Sequence, residues 1–436
     1  MSYSRTVEIE GHVIDSGTMQ RCFGAVMDLG GSFDVDQFDV GTNEEAESYC
    51  RMAVSADDEE TLQAILHELH QNGAVLEDPS DVELVAAPAD KVVPPDFYST
   101  TNHPTEVLYD GEWIDVERIE MDCALIVDPE GGPDGEPRAY TKVLNAVEEG
   151  DLVATDESGV RVNPPERPRT GGAFGFMQGG VSSERPSEST IREVAGELRR
   201  VSEEGGNVMV VAGPAVIHSG AGEALAKLVE AGYVDSLSAG NGFATHDLER
   251  SLYGTSLGMD VETLEHPRKG HKHHIWTISE IIRAGGIEAA VDDGIITEGV
   301  MYECVRNDVD TVLAGSIRDD GPLPDTITDA VEAQNAIRDQ AHDADIVLML
   351  ATLLHSVAAG NCLPSTTKTV CVDINPATVT QLLDRGSAQA IGMVTDIGTF
   401  VPTLTEFVLE GGDGDGDGTE AEDAATPDDH PPVGDR

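Results

Sequence analysis

Short apolar runs that end in loops of small polar residues recur through the second half of this chain, and they limit the fold more than any other feature. Asn207 to Ala212 runs into Gly213-Pro214, and a helical stretch through Ala224, Leu225, Leu228 and Val229 follows, closed by Gly232. Val234 to Ala239 then ends in Gly240-Asn241-Gly242, and Thr311 to Ala314, Ile346 to Leu350 and Val370 to Ile374 repeat the pattern. A strand that is apolar along its whole length has both faces buried, which requires helices on both sides of a parallel sheet. The expectation is a doubly wound, Rossmann-like α/β unit over residues 187–410. In such a sheet ligands bind outside the carboxyl ends of the strands, so the polar loops are the candidate site.

The first half has other periodicities. Val7, Ile9, His12 and Ile14 alternate with polar residues, and Thr18 to Leu29 then spaces Met19, Cys22, Phe23, Val26, Met27 and Leu29 as one helical face. Extended segments around Phe33 to Val40 and Tyr49 to Val54 precede a second helix with Leu62, Ile65, Leu66 and Leu69 on one stripe, ended by Asn72-Gly73. The order strand, helix, two strands, helix, strand predicts a small ferredoxin-like α+β domain over 1–93. Residues 94–186 form a strand-rich segment and linker, with Glu106 to Tyr109, Trp113 to Val116 and Met121 to Val127 as extended pieces. Its end, the Pro- and Gly-rich stretch Pro164 to Pro186, reads as a linker or a loop over a site. Residues 411–436 are Gly, Asp, Glu and Pro with almost nothing apolar, and read as a disordered acidic tail.

Charge narrows the partners. The 436 residues carry 26 Lys and Arg against 82 Asp and Glu, a formal net charge of −56. In dilute buffer that density strains a compact fold, whereas at molar salt the Debye length falls to about 3 Å and the carboxylates stay hydrated without repelling strongly. The charge therefore reads as a mark of a very salty cytoplasm. Hydrophobic residues make up 39% of the chain, enough for a packed core rather than a disordered acidic chain. No basic stripe is present to displace counterions from phosphates, which argues against nucleic acid and anionic membranes as partners. There is no transmembrane run and no signal-peptide core, so a cytoplasmic location is expected. Six cysteines without a CxxC pair read as reduced, mostly buried thiols, and no metal site is expected.

Several stretches have chemistry to offer. His218-Ser219-Gly220-Ala221-Gly222 is a phosphate cradle or simply a strand-to-helix turn. Asp373, at the end of an apolar strand, suits a ribose hydroxyl or a helix cap equally well. Arg268-Lys269-Gly270-His271-Lys272-His273-His274 is the one basic cluster of an acidic chain. Its imidazoles and ammonium groups can bind a carboxylate and move protons near neutral pH, or form a solvated loop. The loop Gly315 to Asp325 packs Arg318, Asp319, Asp320 and Asp325 with two glycines and two prolines at a strand end, which packing alone seldom demands.

Taken together, Gly270-His271-Lys272-His273-His274, Met301-Tyr302-Glu303-Cys304-Val305, the twelve residues Ala314 to Asp325, Val372 to Pro376 and Val394 to Gly398 resemble the archaeal ornithine cyclodeaminases. They are also similar to the C-terminal half of cyanobacterial bifunctional arginine-degrading enzymes. The N-terminal region resembles the conserved region of lysine-ketoglutarate reductase/saccharopine dehydrogenase proteins, and the sheet half resembles the NAD-binding fold of deoxyhypusine synthase. The likeness spans nearly everything except the acidic tail; the twelve-residue motif is highly specific and the N-terminal match looser.

The resemblance implies conversion of L-ornithine to L-proline and ammonium with bound NAD: hydride leaves the α-carbon, the δ-amine attacks the resulting imine, ammonia departs, and the hydride returns. The cofactor supplies electron-accepting power that side chains lack. It implies Asn241 and Gly242 near the dinucleotide, Asp320, and Thr352, Leu353, Leu354 and His355 after their strand. Asp373 is expected on the adenosine ribose, where a carboxylate favours NAD over NADP, and Asp396 and Ile397 by the nicotinamide. Lys272 is the candidate base, with His271 and His274 as proton shuttles or carboxylate binders. A homo-oligomer, dimer or tetramer, is expected. The competing readings are an NAD enzyme acting on another amino acid or diamine, and a non-enzymatic module sensing NAD and an amino acid.

Overall fold

A computed structural model describes residues 3–11, 13–14, 17–41, 46–165, 188–260, 270–319, 321–383 and 390–410. Arg268, Lys269, Asp320, residues 166–187 of the Pro- and Gly-rich stretch and the acidic tail lie outside the described residues, as does the His271 side chain.

The N-terminal segment runs β1 (Tyr3–Gly11), α1 (Thr18–Asp28), β2 (Ser32–Asp39), β3 (Ser48–Ala56), α2 (Glu59–Gln71) and β4 (Val75–Leu76). The strands form an antiparallel sheet in the order β2-β3-β1-β4, the pairing of a ferredoxin-like unit. Both helices pack on one face, where Val7, Ile9, Cys22, Val26, Met52, Leu62 and Ile65 share a core. The predicted stripe of α2 is buried throughout. That of α1 is narrower than expected. Met19, Cys22 and Val26 are buried, but Met27 and Leu29 are 60% and 40% exposed, because Met27 sits about 100° round from Val26 and the helix ends at Asp28.

The middle segment gives β5 (Leu84–Ala86), β6 (Thr105–Tyr109), β7 (Glu112–Glu117), β8 (Ala124–Asp128), β9 (Arg138–Lys142), β10 (Leu152–Ala154) and β11 (Val160–Val162). These form one sheet in the order β11-β6-β7-β9-β8-β10-β5, antiparallel except for β7 with β9.

The remainder is the expected doubly wound unit. It comprises α3 (Glu188–Glu203), β12 (Val208–Ala212), α4 (Ala215–His218), α5 (Gly222–Glu230), β13 (Ser236–Gly240), α6 (Asn241–Tyr253), the small hairpin β14 (Thr255–Ser256) and β15 (Met259–Asp260), α7 (His273–Ala284), α8 (Ile287–Asp292) and α9 (Val300–Arg306). Then follow β16 (Asp310–Ala314), β17 (Thr326–Ile327), α10 (Ala330–Asp343), β18 (Ile346–Leu350), α11 (Leu354–Cys362), β19 (Lys368–Asp373), α12 (Pro376–Leu383), β20 (Ala390–Val394) and α13 (Ile397–Glu410). The main sheet is parallel, in the order β17-β16-β13-β12-β18-β19-β20.

Alternation along the strands builds two cores. Val208, Val210 and Ala212 join Leu348 and Val370 under α3, α5 and α13, while Met209 and Val211 join Val347 and Met349 under α10 and α11. This is why those runs are apolar throughout: each residue has a helix to meet. The chain steps from β12 through β13 and β16 to one edge, then lays β18 on the other side of β12 and continues to β20. The loops after β12 and β18 therefore diverge, opening a crevice at the strand ends.

The strand-rich sheet is bolted to this unit. Glu120 accepts from Arg338 Nε of α10 at 2.6 Å, and both side chains are nearly buried. Arg118 reaches Asp339, His103 meets Ser365 at 2.9 Å, and the Ser365 amide donates to the Asn102 carbonyl. All six cysteines are buried and unpaired. Among the described residues no helix is long and apolar enough to cross a membrane.

Candidate functional site

Helix α6 starts directly at the end of β13, and α4 and α11 start just past β12 and β18, so three helix N-termini face one crevice. Backbone here comes unusually close. A Cβ on Gly213 would lie 2.1 Å from the Ala351 carbonyl oxygen, and Ala351 itself holds a φ of 51°, a left-handed conformation costly for a residue with a side chain. Gly240 is similarly pressed, with His355 Cε1 at 3.0 Å from where its Cβ would stand.

A cavity of about 740 Å³ opens there, walled by Pro214, Gly240 and Gly242 and by side chains from five elements: His218 after β12, Thr245 and His246 of α6, His274 of α7, Arg318 and Asp319 of the loop after β16, and His355 of α11. Arg318 makes no ion pair among the described residues, and Asp319 accepts from the Ser316 amide at 2.7 Å. The buried Thr245 hydroxyl also lacks a partner among the described residues, a polar atom left for a ligand to satisfy.

Burial, with the neighbouring His246, pushes the His218 imidazole down to about 4, so the ring is neutral at pH 7, and its Nδ1 meets Ser256 Oγ at 2.6 Å. Burial likewise holds His355 below its ordinary value, against an opposing pull from Asp319. The rings of His218 and His246 meet edge to face, centroids 4.8 Å apart. His246 Nδ1 lies 2.9 Å from Glu249 Oε2; Glu249 Oε1 accepts from Thr255 Oγ1 and the Gly258 amide, each at 2.8 Å; and Thr255 Oγ1 lies 2.8 Å from His273 Nδ1.

Of the sequence candidates, Asn241, Gly242, His274 and His355 come together at this cavity. Asn241 is buried, with Oδ1 taken by the Leu323 amide at 2.9 Å and Thr326 Oγ1 at 3.1 Å, so it clasps the loop carrying Arg318 and Asp319. Thr352 packs at Gly213, beside the crevice. Leu353 and Leu354 are exposed where α11 begins. Asp373 stands at the end of β19 with Oδ1 accepting from the Asn375 amide at 2.7 Å, a turn that leads into α12, whose first turn is capped instead by Asn375 Oδ1 accepting from the Ala377 amide at 3.0 Å. Asp396 caps α13 through the Gly398 amide, and the Ile397 side chain belongs to the core. Lys272 is exposed and does not line the cavity. Among the described residues, no group of His, Cys, Asp and Glu is arranged to hold a metal.

Sequence reasoning missed Thr245, His246 and Glu249. The His-x-x-Glu spacing within Thr245-His246-Asp247-Leu248-Glu249-Arg250 does put both on one helical face. So polar a stretch reads as a solvated surface, yet Asp247 and Glu249 are 2% and 0% exposed.

Comparison with known proteins gives family matches from residue 4 to residue 404. Residues 4–103 match the LOR/SDH bifunctional enzyme conserved region, 104–191 the first C-terminal region of ArgZ-like arginine dihydrolases, and 192–404 their C-terminal Rossmann fold. The ornithine cyclodeaminase of Methanothermobacter thermautotrophicus is 50% identical over 92% of this chain and 97% of its own. Among solved structures, apo ArgZ, a cyanobacterial arginine dihydrolase, superposes with a TM-score of 0.80 at 38% identity, over 94% of this chain and 58% of that one. The ternary complex of AgrE with ornithine and NAD+ gives 0.51 at 43% identity, with the same coverage.

Proposed function

The chain belongs to the archaeal ornithine cyclodeaminase family, and from that premise we propose that it converts L-ornithine to L-proline and ammonium with bound NAD. The observation that carries the reading is the cavity itself, where a cation and an anion, Arg318 and Asp319, stand with four imidazoles at the crevice of a parallel sheet.

The residues suit both ligands. The crevice beside Gly213, the start of α11 at Thr352 to His355 and the unpartnered Thr245 hydroxyl would receive the dinucleotide, with Asp373, one strand on, accepting from the adenosine ribose. Asn241 and Gly242 flank it, and Asp320, Asp396 and Ile397 remain assigned to its neighbourhood. NAD, when bound, supplies a temporary acceptor for the substrate's α-hydride.

The chain's own groups do the rest. Arg318 pairs with the substrate carboxylate and Asp319 with an ammonium group, which sets the molecule's direction in the cavity. Before a hydride can leave, the α-ammonium must lose a proton, and the imidazoles of His218 and His246 line the cavity to take it. The departing amine needs a proton in return, which the same rings hold. In the basic cluster His274 lines the cavity, so carboxylate binding or proton exchange is assigned to it first. Lys272 and His271 stay as candidates; unchanged proline formation by Lys272→Ala would remove Lys272.

The decisive assay incubates the purified chain with NAD and ornithine in concentrated KCl and measures proline and ammonium, with lysine as control. Stoichiometric proline and ammonium from ornithine alone are expected; turnover of lysine only, or of neither, would end the reading. We further infer a salty cytoplasm from the net charge, and a symmetric homo-oligomer, checked by light scattering.

A further inference from the structure

We propose that Glu249 is a positioning residue that sets the tautomers of two histidines at once, leaving His246 Nε2 as the proton acceptor of the cavity. The inference rests on the functional reading for its catalytic half and on geometry alone for its structural half.

An ionised carboxylate can only accept hydrogen bonds. Glu249 is completely buried and receives three, from His246, Thr255 and the Gly258 amide. Burial pushes its carboxyl up, but those bonds outweigh burial and hold it below the ordinary carboxylate value. Facing that anion, His246 Nδ1 must carry its hydrogen. In the neutral ring the lone pair then falls to Nε2, and the ring lines the cavity. When Nε2 takes a proton, the imidazolium sits against a ready counter-charge that needs no rearrangement to meet it.

The second arm follows from the same counting. Thr255 has one hydroxyl hydrogen and gives it to Glu249, so the 2.8 Å contact with His273 Nδ1 requires His273 to donate. His273 opens α7 and stacks on Tyr253 with centroids 4.8 Å apart. One buried carboxylate thus orients a cavity histidine on α6 and the histidine next to His274 on α7. The other titratable side chains at the cavity, His218, His274, Arg318, Asp319 and His355, come from four further elements.

The test is Glu249→Gln in the full chain with NAD present. A glutamine has one accepting oxygen and must turn its NH2 toward one arm, so His246 loses its enforced tautomer. We expect kcat to fall about 100- to 10,000-fold with the ornithine KM nearly unchanged. The acid limb of the pH–rate profile should move to lower pH, because an imidazolium without its anion is less stabilised and gives up its proton more readily. Nitrogen-15 NMR of labelled histidines should show His246 as the Nδ1–H tautomer in the parent and not in the variant. Full activity in Glu249→Gln, or an Nε2–H tautomer for His246 in the parent, overturns the proposal. Should Glu249→Gln fail to fold, the parent spectrum still decides the tautomer, and His246→Asn, which leaves the buried carboxylate in place, should lose kcat to a similar extent. A parent protein that turns over no ornithine sinks the functional reading instead, and the NMR measurement, which needs no substrate, still decides the orientation.

Discussion

At Gly213 one methyl group decides whether the crevice stays open. With the Ala351 carbonyl 2.1 Å from the added carbon, Gly213→Ala must push apart the first turns after β12 and β18. The expected cost is on the order of 3 kcal/mol, read as a lower midpoint in urea together with weakened NAD binding. His70 makes a different residue-scale prediction. It lies 5% exposed with Nε2 at 3.0 Å from the Tyr98 hydroxyl, and burial, aided by His67, drops its imidazole to about 4. The unfolded chain ionises near 6.5, so its share of stability is whole above pH 6.5 and drains away as pH falls toward 4. By linkage that is about 3 kcal/mol. His218 and His342, both lowered to about 4, act with the same sign. In His70→Gln, stability measured by urea titration from pH 7 to pH 4 should fall more shallowly than in the parent. Asp247 pulls the other way: burial lifts it to about 6, against hydrogen bonds from Met301 and Val300, so its contribution fades as pH rises through 6.

Among elements, α6 contributes more of the cavity lining than any other, and its first residue acts on a loop far along the chain. Asn241→Ala removes the acceptor that Leu323 and Thr326 share, freeing the segment that presents Arg318 and Asp319. A loss of about 1–3 kcal/mol is expected, seen as a raised ornithine KM with NAD affinity little changed. The same helix shows where reading from residues alone runs out. Apolar runs such as Val208 to Val211 and Ile346 to Leu350 announced their strands because each residue needs an apolar neighbour, and loops behind such strands line the cavity. Asn241 stood in the Gly-Asn-Gly loop that ends its strand, but its role, like that of His355, came only from the family resemblance. His246 and Glu249 were not, since burial of a charged helical face depends on partners such as Thr255, Gly258 and the start of α9, which only tertiary structure supplies. Lys272 stood out by composition, yet its side chain turns to solvent while His274, two residues on, reaches the cavity.

Over the whole molecule, few interactions carry the junction between the strand-rich sheet and the doubly wound unit. Glu120 neutralises Arg338 in a nearly buried position, so Glu120→Ala strands a guanidinium there and should cost about 3–5 kcal/mol, measurable by urea unfolding. The double variant Glu120→Leu with Arg338→Met should regain most of that loss, because an apolar pair leaves no uncompensated charge. Net charge acts on every contact at once. With −56 formal charges, raising KCl from 0.1 to 2 M should raise the melting temperature, as the screening length shrinks from about 10 Å toward 3 Å or less.

The burial of all six thiols has a practical corollary. Five have pKa values pushed up to about 12, chiefly by burial, and Cys50 is raised by the same cause, so the native chain presents almost no thiolate to an electrophile. A maleimide added to the folded protein can therefore label only molecules that have opened, and its uptake over hours becomes a stopwatch for unfolding under otherwise native conditions.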